Sequence, residues 1–164
     1  MKQQLLTAFL TISLPLLLTT CKSVPPKVAN SYGAYEIECA GAGTQGSQLV
    51  KVWIYGNNND VSIDAFKRYA VHGVIFKGYA GGNGCTPQKP MATNPALEQQ
   101  RANFFEPFFN ADKAYNKYTT QVGNIESVRV GGEYKTGATI SVAKDMLRRD
   151  LEAAGVLRGL SNGF

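Results

Sequence analysis

Twice along this chain an apolar pattern of period two gives way to one of helical period, and that switch narrows the fold more than any other feature. Leu49 to Tyr55 alternates, with Val50, Val52 and Ile54 on one face and Lys51, Trp53 and Tyr55 on the other. From Val61 the spacing becomes helical: Ile63, Phe66, Ala70 and Val74 share a stripe while Lys67 and Arg68 point outward. Near the other end, Tyr134, Thr136, Ala138, Ile140 and Val142 share one side of a second strand. A helix from Lys144 to Ala154 follows, with Leu147 and Leu151 inward and Gly155 at its C-terminal cap. Each of these strands has a shorter one before it. Tyr35-Glu36-Ile37-Glu38-Cys39 connects through Gly41 to Gly46, and Ile125 to Val130 connects through Gly131-Gly132. The expected order is ββα–α–ββα, an α+β fold. Both hairpins share one antiparallel sheet of about four strands, and the helices cover its apolar face.

Between the two halves, Asn57-Asn58-Asn59-Asp60 reads as a turn that supplies a helix N-cap. Gly78 to Thr93 reads as a loop. Asn94-Pro95 then reads as an N-cap with proline at the first helical position, opening a helix over Ala96 to Glu106. Pro107 removes the bond to Asn103, so a break is expected there, with a further helical turn or two from Asp112 to Thr119.

The first residues carry an address. Lys2 precedes an apolar run from Leu5 to Leu18, the shape of a secretory signal and too short for a spanning helix. Leu18-Thr19-Thr20-Cys21 resembles the lipobox read by bacterial lipoprotein signal peptidase, with Thr20 where Gly, Ala or Ser is usual. The resemblance implies that Cys21 becomes the lipid-modified first residue of the mature chain. Several acyl chains, as such lipoproteins carry, give stable anchoring where one is marginal. No acidic residue follows Cys21 until Glu36, which lacks the pattern of an inner-membrane retention signal. The expected location is therefore the periplasmic face of the outer membrane. Residues 1–20 then form the signal peptide, 21–34 a lipidated, Pro25-Pro26-stiffened tether, and 35–164 a single periplasmic domain.

A 44% apolar and 18% charged composition is that of a globular domain. The net charge of +5 favours a membrane surface or an anionic glycan or lipid as partner. Nucleic acid is excluded by the compartment and by the scatter of the bases Lys51, Lys67, Arg68, Lys113 and Arg148. Besides Cys21 the chain has Cys39, in a strand, and Cys85, after Gly81-Gly82-Asn83-Gly84. They are either a disulfide, contributing about 4 kcal/mol in the chain-entropy model, or two buried thiols.

Tyr134-x-Thr136-x-Ala138-x-Ile140-x-Val142, followed by Leu147-x-x-x-Leu151-x-x-x-Gly155, resembles the end of a family of small envelope domains. These are the outer-membrane lipoproteins related to the N-terminal domain of flagellar assembly protein T. Val50 to Val74, with Ala65 and Ala70, is similar to that family's first half. The resemblance implies an α+β scaffold that binds other envelope components, with no catalytic residues to carry over.

Motifs of chemical interest are few. Gly41-Ala42-Gly43-Thr44-Gln45-Gly46 spells the dinucleotide fingerprint, but a strand follows where that mechanism needs a helix N-terminus, so a hairpin turn is expected. His72, the single histidine, has no recognisable catalytic partner, and Cys39, Cys85 and His72 lack metal-ligand spacing; no cofactor or metal is expected. Glu98, with Glu106 and Asp112 nearby in sequence, is the basis of a hydrolase alternative acting on peptidoglycan or another glycan, its site between the Gly81–Cys85 loop and the Glu98 helix. Phe104, Phe105, Phe108 and Phe109 stack at i, i+4 and either pack on the sheet or leave a groove for a partner. Trp53 and Tyr55 give a noncatalytic glycan or lipid binder a second surface. The leading expectation is a lipid-anchored binding or scaffolding protein without catalysis, engaging another envelope protein.

Overall fold

The computed structural model describes residues 33–82 and 84–159. Cys21, the signal segment and nearly all of the expected tether lie outside the described residues. Four antiparallel strands form one sheet in the order β1-β2-β4-β3: β1 (Tyr35–Ala42), β2 (Gln48–Gly56), β3 (Thr119–Val130) and β4 (Glu133–Val142). The two hairpins join through β2 and β4, where Val50 faces Ile140 and Val52 faces Ala138. With α1 (Ile63–Phe76), the short α2 (Leu97–Gln100) and α3 (Ala102–Glu106), and α4 (Lys144–Ala153), the chain has the expected mixed α+β architecture.

The core lies on one face of the sheet. Val50, Val52, Ile140 and Val142 present fully buried side chains there, and Phe66, Ala70 and Val74 of α1 are equally buried against them. Each of the valine, isoleucine and phenylalanine side chains contributes roughly 1.5–3 kcal/mol by leaving water. Leu147 and Leu151 of α4 join the same core. α1 comes close to β1 because residue 73 is glycine: a Cβ there would sit 2.6 Å from Cδ1 of Ile37. Gly155 takes φ +66 and closes α4, Val156 N–H donating to the Leu151 carbonyl, as its position in the sequence implies.

Several local expectations give way to better-satisfied alternatives. The cap of α1 is Ser62, whose hydroxyl accepts from Ala65 N–H at 3.3 Å, rather than a residue of the Asn57–Asp60 turn. Asn94 makes a turn, its side-chain oxygen accepting from Ala96 N–H, so the helix starts two residues later than the Asn-Pro signal implies. That helix is broken at Arg101 as well as at Pro107. Pro107 opens a wide turn (Pro107–Ala111) in which Asp112 N–H reaches back five residues to its carbonyl. A 3₁₀ turn (Ala114–Tyr118) follows, and β3 begins at Thr119, well ahead of Ile125. Immediately ahead of β1, the Ala34 carbonyl accepts from Tyr55 N–H at 3.2 Å. Among the described residues no helix is long and apolar enough to cross a membrane.

Candidate functional site

The face of the sheet turned away from the helices carries Trp53 and Tyr55, with Glu36 and Glu38 on β1, Lys51 on β2, Lys135 and Gly137 on β4 and Glu126 on β3. Strand alternation puts these residues together, since each occupies the position opposite the core set. Trp53 stands across from Gly137 and lies flat on it: a Cβ on residue 137 would sit 2.4 Å from the indole. The indole N–H donates to Glu38 at 2.8 Å, and the ammonium groups of Lys51 and Lys135 lie 4.4 and 4.9 Å from the ring centre. Tyr55 donates its hydroxyl to Glu36 at 2.8 Å, and Lys135 donates to the same carboxylate at 3.3 Å. Those two donors hold the Glu36 carboxyl below the ordinary carboxylate range. Lys51 pairs with Glu126 across β4.

β3 extends this face to the edge of the sheet. Val122, Val128 and Val130 share the side of Trp53 and Tyr55 and are 41%, 50% and 55% exposed, with Ile125 at 40% in the irregular stretch between Val122 and Glu126. Exposed valines on an edge strand stand beside unpaired backbone donors and acceptors, the usual template for added contacts. Sequence reading identified the strand but not this property. Its alternation of Val128 and Val130 with Ser127 and Arg129 looks like any half-buried strand, and nothing in it says that no described element covers the valines.

The phenylalanine cluster belongs to the core. Phe105, Phe108 and Phe109 are 2%, 6% and 2% exposed, and Phe104 is half-buried against them. The i, i+4 pairs do stack, Phe104 on Phe108 and Phe105 on Phe109, with ring centres 5.6 and 6.0 Å apart. From α1, Phe76 meets Phe105 and His72 meets Phe109, both edge-on. The break around Pro107 bends the aromatic face onto α1, so a partner groove there is replaced by internal packing.

His72 and Glu98, read separately in the sequence, meet in the fold. With its proton on Nε2 the imidazole donates to Glu98 at 3.2 Å, and its Nδ1 accepts the Tyr35 hydroxyl at 2.5 Å. Burial and the Glu98 charge push the Tyr35 phenol far above its usual pKa, so it remains a proton donor rather than a nucleophile. Lys77 closes the cluster: it donates to the Tyr35 carbonyl at 3.0 Å, its ammonium lies 3.6 Å from the Tyr35 ring centre, and burial lowers its pKa. Glu98 is therefore engaged with His72. The cleft between the β1–β2 turn and the Cys85 loop has no carboxylate among its described lining residues. Glu106 accepts from the Asn110 side-chain amide at 2.9 Å.

Cys39 and Cys85 are joined by a disulfide, with Cα atoms 6.3 Å apart. This uses both thiols and fastens the glycine-rich loop to β1. No protein-family model, curated protein or solved structure matches this chain.

Proposed function

We propose that this protein is a lipid-anchored binding or scaffolding module of the bacterial envelope, held at the periplasmic face of the outer membrane through Cys21. It acts without catalysis and engages an envelope protein through the open face of its sheet. The observation that carries this reading is the uncovered surface formed by Trp53, Tyr55 and the β3 valines, Val128 above all. Charges of both signs on it are already paired, Lys51 with Glu126 and Lys135 with Glu36. A surface of aromatic and β-branched side chains inside a balanced ionic rim suits a protein partner better than an anionic polymer, which would call for unpaired cations.

A second reading, a noncatalytic glycan or lipid binder using Trp53 and Tyr55, draws support from the place of that pair outside the described core. Isolation of the tagged full chain from chemically crosslinked envelopes separates the two. The protein-partner reading expects one envelope protein to be enriched with wild type and lost with Val128→Asp, which leaves the aromatic pair intact. Retention of that protein with Val128→Asp, or enrichment of glycan alone, contradicts it. Labelling with radioactive palmitate tests the anchor separately: label is expected in wild type and absent in Cys21→Ser.

A further inference from the structure

The sheet ends differently on its two sides. At β1 the Tyr35 carbonyl accepts from Lys77 at 3.0 Å, Cys39 is bonded to Cys85 of the glycine-rich loop, and the register slips between Cys39 and Gly41. These contacts occupy that edge. At β3 no described strand lies beyond the edge. Every residue from Thr120 to Val130 is exposed, on the helix side of the sheet as well as on the open side.

Edge strands that stay single commonly carry lysine, proline or a bulge. β3 has neither Lys nor Pro. Its irregular stretch lies between Val122 and Glu126, with Gly123 at φ +77. That leaves Glu126 to Val130 as a regular segment running up to the Gly131-Gly132 turn.

Two copies of this segment fit each other in one register. Antiparallel strands related by a two-fold axis perpendicular to the sheet set residues of the same face opposite each other. Centred on Val128, the whole regular segment pairs with itself: Val128 meets Val128, Ser127 meets Arg129 and Glu126 meets Val130. Centring the pair on Arg129 or on Glu126 would bring like charges together. Centring it on Ser127 would draw Asn124 and Ile125, in the irregular stretch, into the ladder. The Val128 register avoids all three. Glu126 is already held by Lys51 of its own chain, and Arg129 lies 5.5 Å from the ring centre of Tyr134.

We propose that β3 pairs edge to edge, antiparallel, with β3 of a second copy of this chain, joining the two four-stranded sheets into one. Val128 sits on the two-fold axis. The open faces then run on continuously, with Trp53 and Tyr55 of both copies on the same side, so the pairing neither needs nor blocks the partner reading. A segment this short makes a small interface, of the size that associates weakly.

The test is sedimentation equilibrium of the full-length protein in density-matched detergent, over about a hundredfold range of concentration. Wild type should pass from monomer toward dimer. Ser127→Glu sets a carboxylate opposite Arg129 of the second copy, twice by symmetry, and should tighten the dimer about fivefold; Ser127→Arg should loosen it about as much. Both variants lose the same hydrogen bond between Ser127 and Thr136, so a difference between them reports the contact across the axis. Trp53→Ala should leave the dimer unaltered. In wild type, amide exchange over Glu126 to Val130 should slow as concentration rises, while exchange over β1 should not. A monomer at every concentration overturns the proposal, as does a dimer that the two Ser127 variants affect alike or that Trp53→Ala dissolves. Exchange at β3 that ignores concentration overturns it without recourse to any variant.

Discussion

The indole of Trp53 rests on the bare backbone of Gly137, its partner across the β2–β4 pair. Glycine at that position keeps the ring flat on the sheet and its N–H aligned with Glu38. Gly137→Ala would drive the ring off the surface, at a cost of about 1 kcal/mol on this open face. Trp53 is the single tryptophan, so intrinsic fluorescence reports the change directly. We expect a red-shifted emission and loss of partner capture in Gly137→Ala. An unchanged spectrum would mean that the ring is not held as described.

The disulfide between Cys39 and Cys85 spans a sequence separation of 46. By the chain-entropy relation its removal costs about 4 kcal/mol, a large share of the stability of a domain this size. Cys39→Ala/Cys85→Ala should lower the urea midpoint accordingly, and added reductant should reproduce the effect in wild type while leaving the double variant unmoved. Intact mass should rise by about 2 Da on reduction, one hydrogen for each thiol formed.

Burial predicts a sharp contrast between two aromatic groups. Phe109→Ala and Phe105→Ala empty space inside the core and should each cost about 3–5 kcal/mol, since both rings are 2% exposed. Tyr55→Ala, on the open face, should cost under about 1 kcal/mol. Chemical denaturation of the three variants checks this. Comparable losses for all three would show that the open face is buried against something.

Stability should fall in acid. The Glu36 pKa is depressed by the hydrogen bonds from Tyr55 and Lys135. At Asp64 burial works in the opposite direction, but hydrogen bonds from Lys113, Asn116 and Tyr115 outweigh it and leave a net depression. A carboxylate with a lowered folded-state pKa stabilises above its unfolded value, and that contribution disappears as pH falls through the folded one. The urea midpoint should therefore be flat near neutrality and decline below about pH 4.3. Glu36→Gln and Asp64→Asn together should flatten the decline. Because both groups are near the surface, each effect should be small.

Both long hairpin strands and their following helices were legible because one buried face imposes its period on the sequence: Val50 and Val52, Ile140 and Val142, Phe66 and Ala70 lie where alternation or helical spacing places them. What the pattern hid depends on contacts distant in sequence. His72 meets Tyr35 and Glu98 only after α1 packs on β1 and the Glu98 turn folds over it. The phenylalanines carry the same signal whether they face a partner or α1, so their burial follows from the bend at Pro107 rather than from spacing. The cap of α1 is Ser62 rather than a residue of the Asn57–Asp60 turn because the Ser62 hydroxyl is the side-chain oxygen that accepts from Ala65 N–H.

Docking through the open sheet face is tested most directly by site-resolved photocrosslinking in living cells. A photoreactive residue placed at Val128, on that face, is compared with one at Arg149, on the helix α4; both positions are exposed. A crosslink to one envelope protein is expected from position 128, abolished by Gly137→Ala, and none to that protein from position 149. Equal crosslinking from both positions, or from position 149 alone, would contradict it.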